Sequence, residues 1–145
     1  MKPTWILIAN AAHARLLEQE PAGWPSVLQT LEHPRSRMLG SELGGDKAGR
    51  ELSGRGFGGA AFEPRVDAQH KEQQHFAHEL ARLLEEGGRE RRYDAVHVFA
   101  SSPFLGRLNQ ELGPATRRLL MGSHDVDLTA VGLAELPARI EHELS

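Results

Sequence analysis

The chain begins with three short segments whose apolar residues are spaced as in β-strands. Trp5 to Ala9 is a continuous apolar run, and its length suits a strand that is buried on both faces. Ala14 to Gln19 follows a turn, and Trp24 to Leu31 alternates between two faces after the turn signal Glu20 to Gly23. The alanine and leucines of the second segment also permit a helix. Together the three segments predict an antiparallel β-meander.

The clearest helical pattern lies between Ala68 and Glu86, where apolar residues recur every three or four positions. We expect the carboxylate of Asp67 to cap the start of this helix, because it can accept a free amide of the first turn. We expect Gly87-Gly88 to end it. This segment is the main helix of the predicted fold.

Strands and helices alternate in the rest of the chain. The predicted elements are a strand at Tyr93 to Ala100, a helix at Phe104 to Leu112 capped by Ser101-Ser102-Pro103, a strand or the exit from a strand at His124 to Thr129, and a helix at Leu133 to Leu144. The pattern of Arg117 to Met121 fits either a helix or a strand. The order of elements predicts a single α/β domain over residues 1–145, with a mixed β-sheet that starts as an antiparallel meander. Helices pack on this sheet, and a long glycine-rich loop precedes the main helix.

The predicted loop, Gly40 to Asp67, is the segment in which we expect the function to lie. It holds eight of the chain's fifteen glycines and has no helical or strand period. Loops longer than about 12–15 residues are uncommon inside compact domains and are usually functional or disordered. Its four basic residues are balanced by five acidic ones, which weakens an RNA-binding interpretation. Glycine amides before a helix can cradle phosphate, but no Walker motif is present.

Composition narrows the classes of function. A formal net charge of -3 and a pI near 6.2 argue against a strongly electrostatic nucleic-acid binder, although a local basic patch is compatible with them. The absence of cysteine excludes disulfides and thiolate metal sites. The N-terminal apolar run is too short for a signal peptide or a membrane span, so we expect a cytoplasmic protein with no membrane partner. No cofactor is predicted.

Asp125 and Asp127 form the one candidate metal site. In an extended segment their carboxylates would lie on one face and could hold Mg²⁺; the alternative is that Asp127 caps a turn through Thr129. His97 lies in an apolar strand, on the face opposite Val96 and Val98, and we expect it to be a hydrogen-bonded structural residue.

The histidines of the main helix do not follow the H-E-x-x-H order of zinc hydrolases, and we expect a solvated helix face there. Ser101 and Ser102 lack the G-x-S-x-G context of a nucleophile.

Six segments carry a further signal, in order along nearly the whole chain: WILIANAAHARLLE (5–18), LEHPRSR (31–37), DKAGRELS (46–53), HFAHELARLL (75–84), YDAVHVFASSPFLGRL (93–108) and DVDLT (125–129). Together they resemble the bacterial family of host attachment proteins, described as required for attachment to host cells.

More distantly, GRGFGGAAFEPRVDAQHKEQQHFAHELARLL resembles the middle domain of archaeal and eukaryotic class-1 peptide release factors, in which a Gly-Gly-Gln loop precedes a long helix. In that family the glutamine helps to position water for peptidyl-tRNA hydrolysis. Gly58 and Gly59 match the two glycines, whereas Ala60 stands at the glutamine's position. The resemblance therefore implies contact with the ribosome without that catalytic group.

These resemblances imply a non-enzymatic or weakly catalytic module that engages the ribosome or structured RNA through the loop. The contact candidates are Arg50, Arg55, Gly58, Gly59 and Arg65. One alternative is a protein that acts directly in attachment to a host or surface, through contacts with another protein. A second alternative is a hydrolase, either metal-dependent or with residual peptidyl-tRNA activity. The sequence predicts no oligomeric state.

Overall fold

The computed structural model describes residues 2–33 and 58–145, with side chains described from residue 67 onward in the second range. Five strands and four helices are formed in these ranges. In chain order they are β1 (Thr4–Ala9), β2 (His13–Gln19), β3 (Ser26–Glu32), α1 (Gly58–Arg89), β4 (Ala95–Ala100), α2 (Phe104–Glu111), α3 (Pro114–Leu119), β5 (Leu120–Asp125) and α4 (Leu136–Leu144).

The strands form one mixed sheet in the order β3-β2-β1-β4-β5. β1 pairs with β2, and β2 with β3, in antiparallel fashion, whereas β4 runs parallel to both β1 and β5. The predicted α/β class, the mixed sheet and the N-terminal antiparallel meander are confirmed. β1 lies at the centre of the sheet because its apolar run can be buried on both faces, with residues Trp5–Ala9 all buried.

One face of the sheet packs against α1, α2 and α3. Alternate residues of β1 and β4 point to this side, and the apolar stripe of α1 covers them. The stripe consists of Phe76, Ala77, Leu80, Ala81 and Leu84, all buried. The sequence pattern between Ala68 and Glu86 predicted this packing.

The opposite face carries a smaller core. Ile6, Ile8 and Phe99 of the sheet pack there against Leu136 and Ile140 of α4. Helices therefore cover both faces, which makes the domain a three-layer sandwich. None of the helices in the described ranges has the length and hydrophobicity that crossing a membrane requires.

The main helix differs from its prediction at both ends. α1 begins at Gly58, so Asp67 lies within the helix and does not cap it, and the predicted loop is helical from Gly58 to Asp67. The sequence did not predict a helix start before Pro64, because proline lacks a backbone donor and usually ends or kinks a helix. The part of the predicted loop before Gly58 lies outside the described residues.

Gly87 and Gly88 do not end α1, which continues to Arg89. A Cβ atom at Gly87 would lie 2.5 Å from the ring of Trp5, and one at Gly88 would lie 3.1 Å from the Tyr93 hydroxyl oxygen. These glycines therefore serve the close approach of α1 to the sheet. Gly87 and Gly88, which the sequence pattern assigned to the end of the helix, instead allow close packing within it.

The last strand and the last helix also shift. β5 spans Leu120–Asp125, so His124 to Thr129 is the end of this strand and the exit from it. α3 ends at Leu119, so the ambiguous segment Arg117 to Met121 is helical first and extended afterwards. Parallel pairing with β4 selects the strand, since the sequence LMGSHD has no strong strand pattern of its own. α4 starts at Leu136, with a proline in its first turn, which is later than predicted.

Candidate functional site

The predicted contact residues fall in two parts of the chain. Arg50 and Arg55 lie outside the described residues. Gly58, Gly59 and Arg65 lie in the N-terminal turns of α1, where the backbone is helical. The structure therefore places three of the five candidates at one end of the longest helix.

That end of α1 precedes the buried part of the helix. The buried residues of α1 all lie between Phe76 and Gly88 in the range whose side chains are described, whereas none from Asp67 to His75 is buried. Near the boundary, Glu72 Oε1 lies 2.8 Å from Nε2 of His33, which directly follows β3. At about 1.5 Å per residue, the helix before Gln73 adds about 22 Å. We call this part of the helix, Gly58 to Glu72, the α1 arm.

The arm leaves the domain at the edge where β1, β4 and β5 have their carboxyl ends. Gln73 lines a cavity of about 340 Å³ there, together with Asn10–Ala12 after β1 and Ser101–Phe104 after β4. In open α/β sheets, ligands commonly bind at this edge, outside the carboxyl ends of the strands. The arm and the cavity together form the candidate functional site.

Asn10 connects two segments at this edge of the sheet by hydrogen bonds. Its side-chain oxygen accepts hydrogen bonds from the backbone amides of Ala12 and His13, both at 2.8 Å. Its amide nitrogen donates to Asp127 Oδ2 at 3.1 Å and to Thr129 Oγ1 at 3.0 Å. The turn after β1 is thereby tied to the segment after β5.

The carboxylate of Asp127 is engaged in the same network. Burial alone would raise its pKa, but hydrogen bonds from Thr129 and Asn10, with the nearby His13, hold the pKa below the usual value. Thr129 donates its backbone amide at 2.9 Å and its hydroxyl at 2.6 Å to Asp127 Oδ1. The turn-capping alternative for Asp127 is the arrangement that the structure shows.

Asp125 has different partners. Its carboxylate accepts the Ser102 backbone amide at 3.0 Å and the Ser102 hydroxyl at 2.9 Å. The predicted role of Ser101 and Ser102 in capping α2 is wrong, because Pro103 is the cap residue and no side chain caps that helix. Within the described ranges, no three His, Asp or Glu side chains are grouped so as to hold a metal ion. A two-carboxylate metal site at Asp125 and Asp127 stays a prediction.

Sequence comparison places this architecture in a known family. The sequence model of the family described as "Protein required for attachment to host cells" matches residues 5–140. The chain belongs to this family. No curated protein matches the chain.

The family match runs from β1 into α4, and so includes both the arm and the edge from which it leaves the sheet. Arg15 holds part of that edge in place, because its guanidinium donates to the carbonyl oxygens of Leu128, Thr129 and Val131. Sequence reasoning missed Arg15 and Asn10. The carbonyl groups that Arg15 binds, and the Asp127 and Thr129 side chains that Asn10 binds, lie more than 110 positions away in the chain. No local pattern signals such contacts.

A second group of titratable residues lies on the α4 side of the sheet, near its β5 edge. His124 stacks on Phe99 with ring centroids 4.5 Å apart, and His97 lies 5.7 Å from His124. Burial, and then the proximity of His124, lower the pKa of His97. His97 Nδ1 and His124 Nε2 are buried and have no hydrogen-bond partner in the described part of the chain. The expectation of a hydrogen-bonded His97 is wrong at this atom.

Proposed function

We propose that this member of the host-attachment family is a cytoplasmic, non-enzymatic binding module that engages ribosomal or other structured RNA through the α1 arm and the glycine-rich run before it. The observation that carries the proposal is that none of the described side chains from Asp67 to His75 is buried. A stretch of helix without buried side chains is available for a partner. The domain then acts as a platform and the arm as the contacting element.

The second part of the arm suits an RNA partner better than an apolar one. The arm begins with GGAAFEPRV, which is partly apolar; from Asp67 to His75, three residues past the arm, the sequence is DAQHKEQQH, with one alanine and otherwise polar side chains. Polar and basic side chains supply most contacts to RNA phosphates and sugars, whereas protein interface cores are enriched in aromatic residues. Arg50, Arg55, Gly58, Gly59 and Arg65 are the proposed contacts, and glycines allow a close approach of the backbone.

We propose a module without catalysis because Ala60 stands at the position where the release factors have their glutamine. The resemblance to release-factor middle domains supports a ribosomal partner, and Ala60 has no group that could position a water molecule. Asp125 and Asp127, the other candidates for chemistry, are hydrogen-bonded to Ser102, Thr129 and Asn10. We therefore expect binding without turnover.

The proposal is tested by sedimentation of tagged protein from native lysate on a sucrose gradient. The test variant is Arg65→Glu with Lys71→Glu, which reverses two arm charges. The matched control is Arg82→Glu with Arg139→Glu, at two exposed arginines away from the arm. We expect the wild type and the control to migrate with ribosomal particles and the test variant to move to light fractions. Wild-type protein confined to light fractions, or equal losses in both variants, would contradict the proposal.

A second candidate function is direct contact with a protein partner in attachment. The favouring observation is β3, which is an edge strand among the described residues: Leu28 on this strand is 40% exposed, and Trp24 before it is 78% exposed. Exposed aromatic and aliphatic side chains on an open strand edge are typical of protein interaction sites. Recovery of the protein in washed surface fractions of intact cells, lost on Trp24→Ser with Leu28→Ser, would support this function over the RNA proposal.

A further inference from the structure

A basic cavity lies at the end of the domain opposite the α1 arm. It has a volume of about 550 Å³ and is situated where α1 ends and β4 begins. Four cationic side chains and one carboxylate line it: Lys2, Arg89, Arg91, Arg118 and Asp94. We call this site the basic cavity. Its excess of positive charge contrasts with the net negative charge of the whole chain.

Most of these cations have no internal partner. Arg89 pairs with Glu85, with Nε 3.2 Å from Oε2. Lys2, Arg91 and Arg118 make no ion pair or side-chain hydrogen bond with any residue in the described ranges. Charged side chains that are neutralised within the fold contribute little attraction to a ligand, whereas unpaired cations around a concave surface raise the local concentration of anions.

Other arginines of the chain show the contrast. Arg15 donates to three backbone carbonyls, and Arg117 donates to the carbonyls of Leu112 and Asn109. Both of these have a structural role. Lys2, Arg91 and Arg118 make no comparable contact in the described part of the chain.

The backbone at Arg91 supports a role for its side chain. Arg91 has φ of 59°, the left-handed conformation that usually follows a helix and favours glycine. Its amide donates to the Gly88 carbonyl at 3.1 Å, and the Arg92 amide donates to the Gly87 carbonyl at 2.9 Å. Non-glycine residues are uncommon in this conformation, and here it belongs to a cationic residue that lines the basic cavity.

We propose that the basic cavity binds phosphate groups. Arginine guanidinium groups bind phosphate oxygens in a bidentate manner, and Arg91 and Arg118 supply two of them beside Lys2. The volume lies within the range of sites for nucleotide-sized ligands. Tyr93, Ala115 and Leu119 give the cavity an apolar wall for the rest of such a ligand. The source of the phosphate is either an RNA backbone or a free phosphorylated molecule.

This site does not depend on the ribosome proposal. α1 has 32 residues, so its two ends are about 47 Å apart at about 1.5 Å per residue. Substitutions in the arm and in the basic cavity therefore change separate surfaces. Failure of one proposal leaves the other open to its own test.

The test measures binding of the purified full chain to two probes. The first is a fluorescein-labelled RNA hairpin followed by anisotropy, and the second is ATP followed by calorimetry. The test variant is Arg91→Asn with Arg118→Gln, in which asparagine tolerates the left-handed backbone. The control is Arg82→Gln with Arg139→Gln, which removes the same charge elsewhere. Circular dichroism and thermal unfolding verify that both variants are folded.

We expect the test variant to lose about tenfold or more in affinity at about 150 mM salt, and the control to lose less than about twofold. For RNA, loss of two phosphate contacts should make the slope of log K against log salt shallower by about 1.4 to 1.8. Loss confined to RNA identifies the phosphodiester backbone as the ligand, and loss for ATP as well identifies a free phosphorylated molecule. Wild-type protein that binds neither probe, or equal losses in both variants, would overturn the proposal.

Discussion

Replacing Glu85 by alanine should destabilise the domain by about 2–3 kcal/mol. Glu85 belongs to α1, yet its carboxylate caps the start of α3, which has no cap of its own. Oε1 accepts the Thr116 amide at 3.0 Å and the Thr116 hydroxyl at 3.1 Å, and Oε2 accepts the Ala115 amide at 3.2 Å. A lost helix cap costs about 0.5–2 kcal/mol, and hydrogen bonds to a charged group are worth about 1.5–3 kcal/mol each before non-additivity.

A double-mutant cycle with Gly113 isolates this interaction. A Cβ atom at Gly113 would meet Glu85 Oε1 at 2.5 Å, Cδ at 2.6 Å and Cγ at 3.1 Å, and these are its three nearest neighbours. The Glu85 side chain can avoid the new methyl group only by leaving its hydrogen bonds. Gly113→Ala should therefore cost about 1–2 kcal/mol in the wild type.

The same substitution should change sign once Glu85 is shortened. Gly113 has φ of -86° and ψ of 177°, which alanine adopts without strain. In the Glu85→Ala background, Gly113→Ala should be neutral or stabilising by about 0.4–1 kcal/mol, because it restricts the unfolded chain. The assay is urea unfolding of the four proteins, followed by circular dichroism.

Glu86→Ala is the matched control, because the Glu86 side chain is 60% exposed and pairs only with Arg82 in the described residues. It should cost no more than about 0.5 kcal/mol. A cycle in which the effects of Glu85→Ala and Gly113→Ala simply add would refute the argument. So would a Glu85→Ala cost as small as that of the control.

The stabilisation by Glu85 should also depend on pH. Burial would raise its pKa, but the hydrogen bonds from Thr116, Ala115 and Arg89 lower it below the ordinary value of 4.5. A carboxyl group with a lowered folded-state pKa stabilises the protein fully above the unfolded pKa and loses this contribution as the pH falls through the folded value. The stability difference between wild type and Glu85→Gln should therefore be constant above about pH 5 and shrink at lower pH. A difference that grows on acidification would contradict this sign.

Three further predictions concern single substitutions in the described part of the chain. Gly87→Ala should destabilise the domain by about 1–3 kcal/mol, because its Cβ would lie 2.5 Å from the buried ring of Trp5. Gly106→Ala, on a helix with nothing within 4 Å of the added atom, should stabilise it by about 0.5–1 kcal/mol in the same denaturation assay. Asp127→Asn should cost at most about 1 kcal/mol at neutral pH, since the group is exposed and screened. That cost should disappear as the pH falls below 3.8, the ordinary pKa, because hydrogen bonds from Thr129 and Asn10 help to lower the pKa of Asp127 in the folded protein. A cost that persists in acid would exclude the carboxylate as its source.

The elements that the sequence determined are those with strong local patterns. β1 could be predicted because an apolar run of only five residues is typical of a strand that is buried on both faces. The centre of α1 could be predicted because its apolar residues recur at helical spacing. The meander followed from turn signals between short strands. The same reasoning identified the glycine-rich run and the turn around Asp127 as features to examine.

The tertiary structure decided what depends on residues distant in the chain. β5 is a strand because β4 pairs with it, and Gly87 lies within a helix because Trp5 needs its space. Asn10 donates a hydrogen bond to Asp127, 117 positions away in the chain, and Glu85 caps a helix that begins 29 positions later. Four cations share the basic cavity only because α1 returns the chain to the start of the sheet. A local pattern encodes propensity, whereas these contacts arise from packing, and packing is fixed only when all elements are in place.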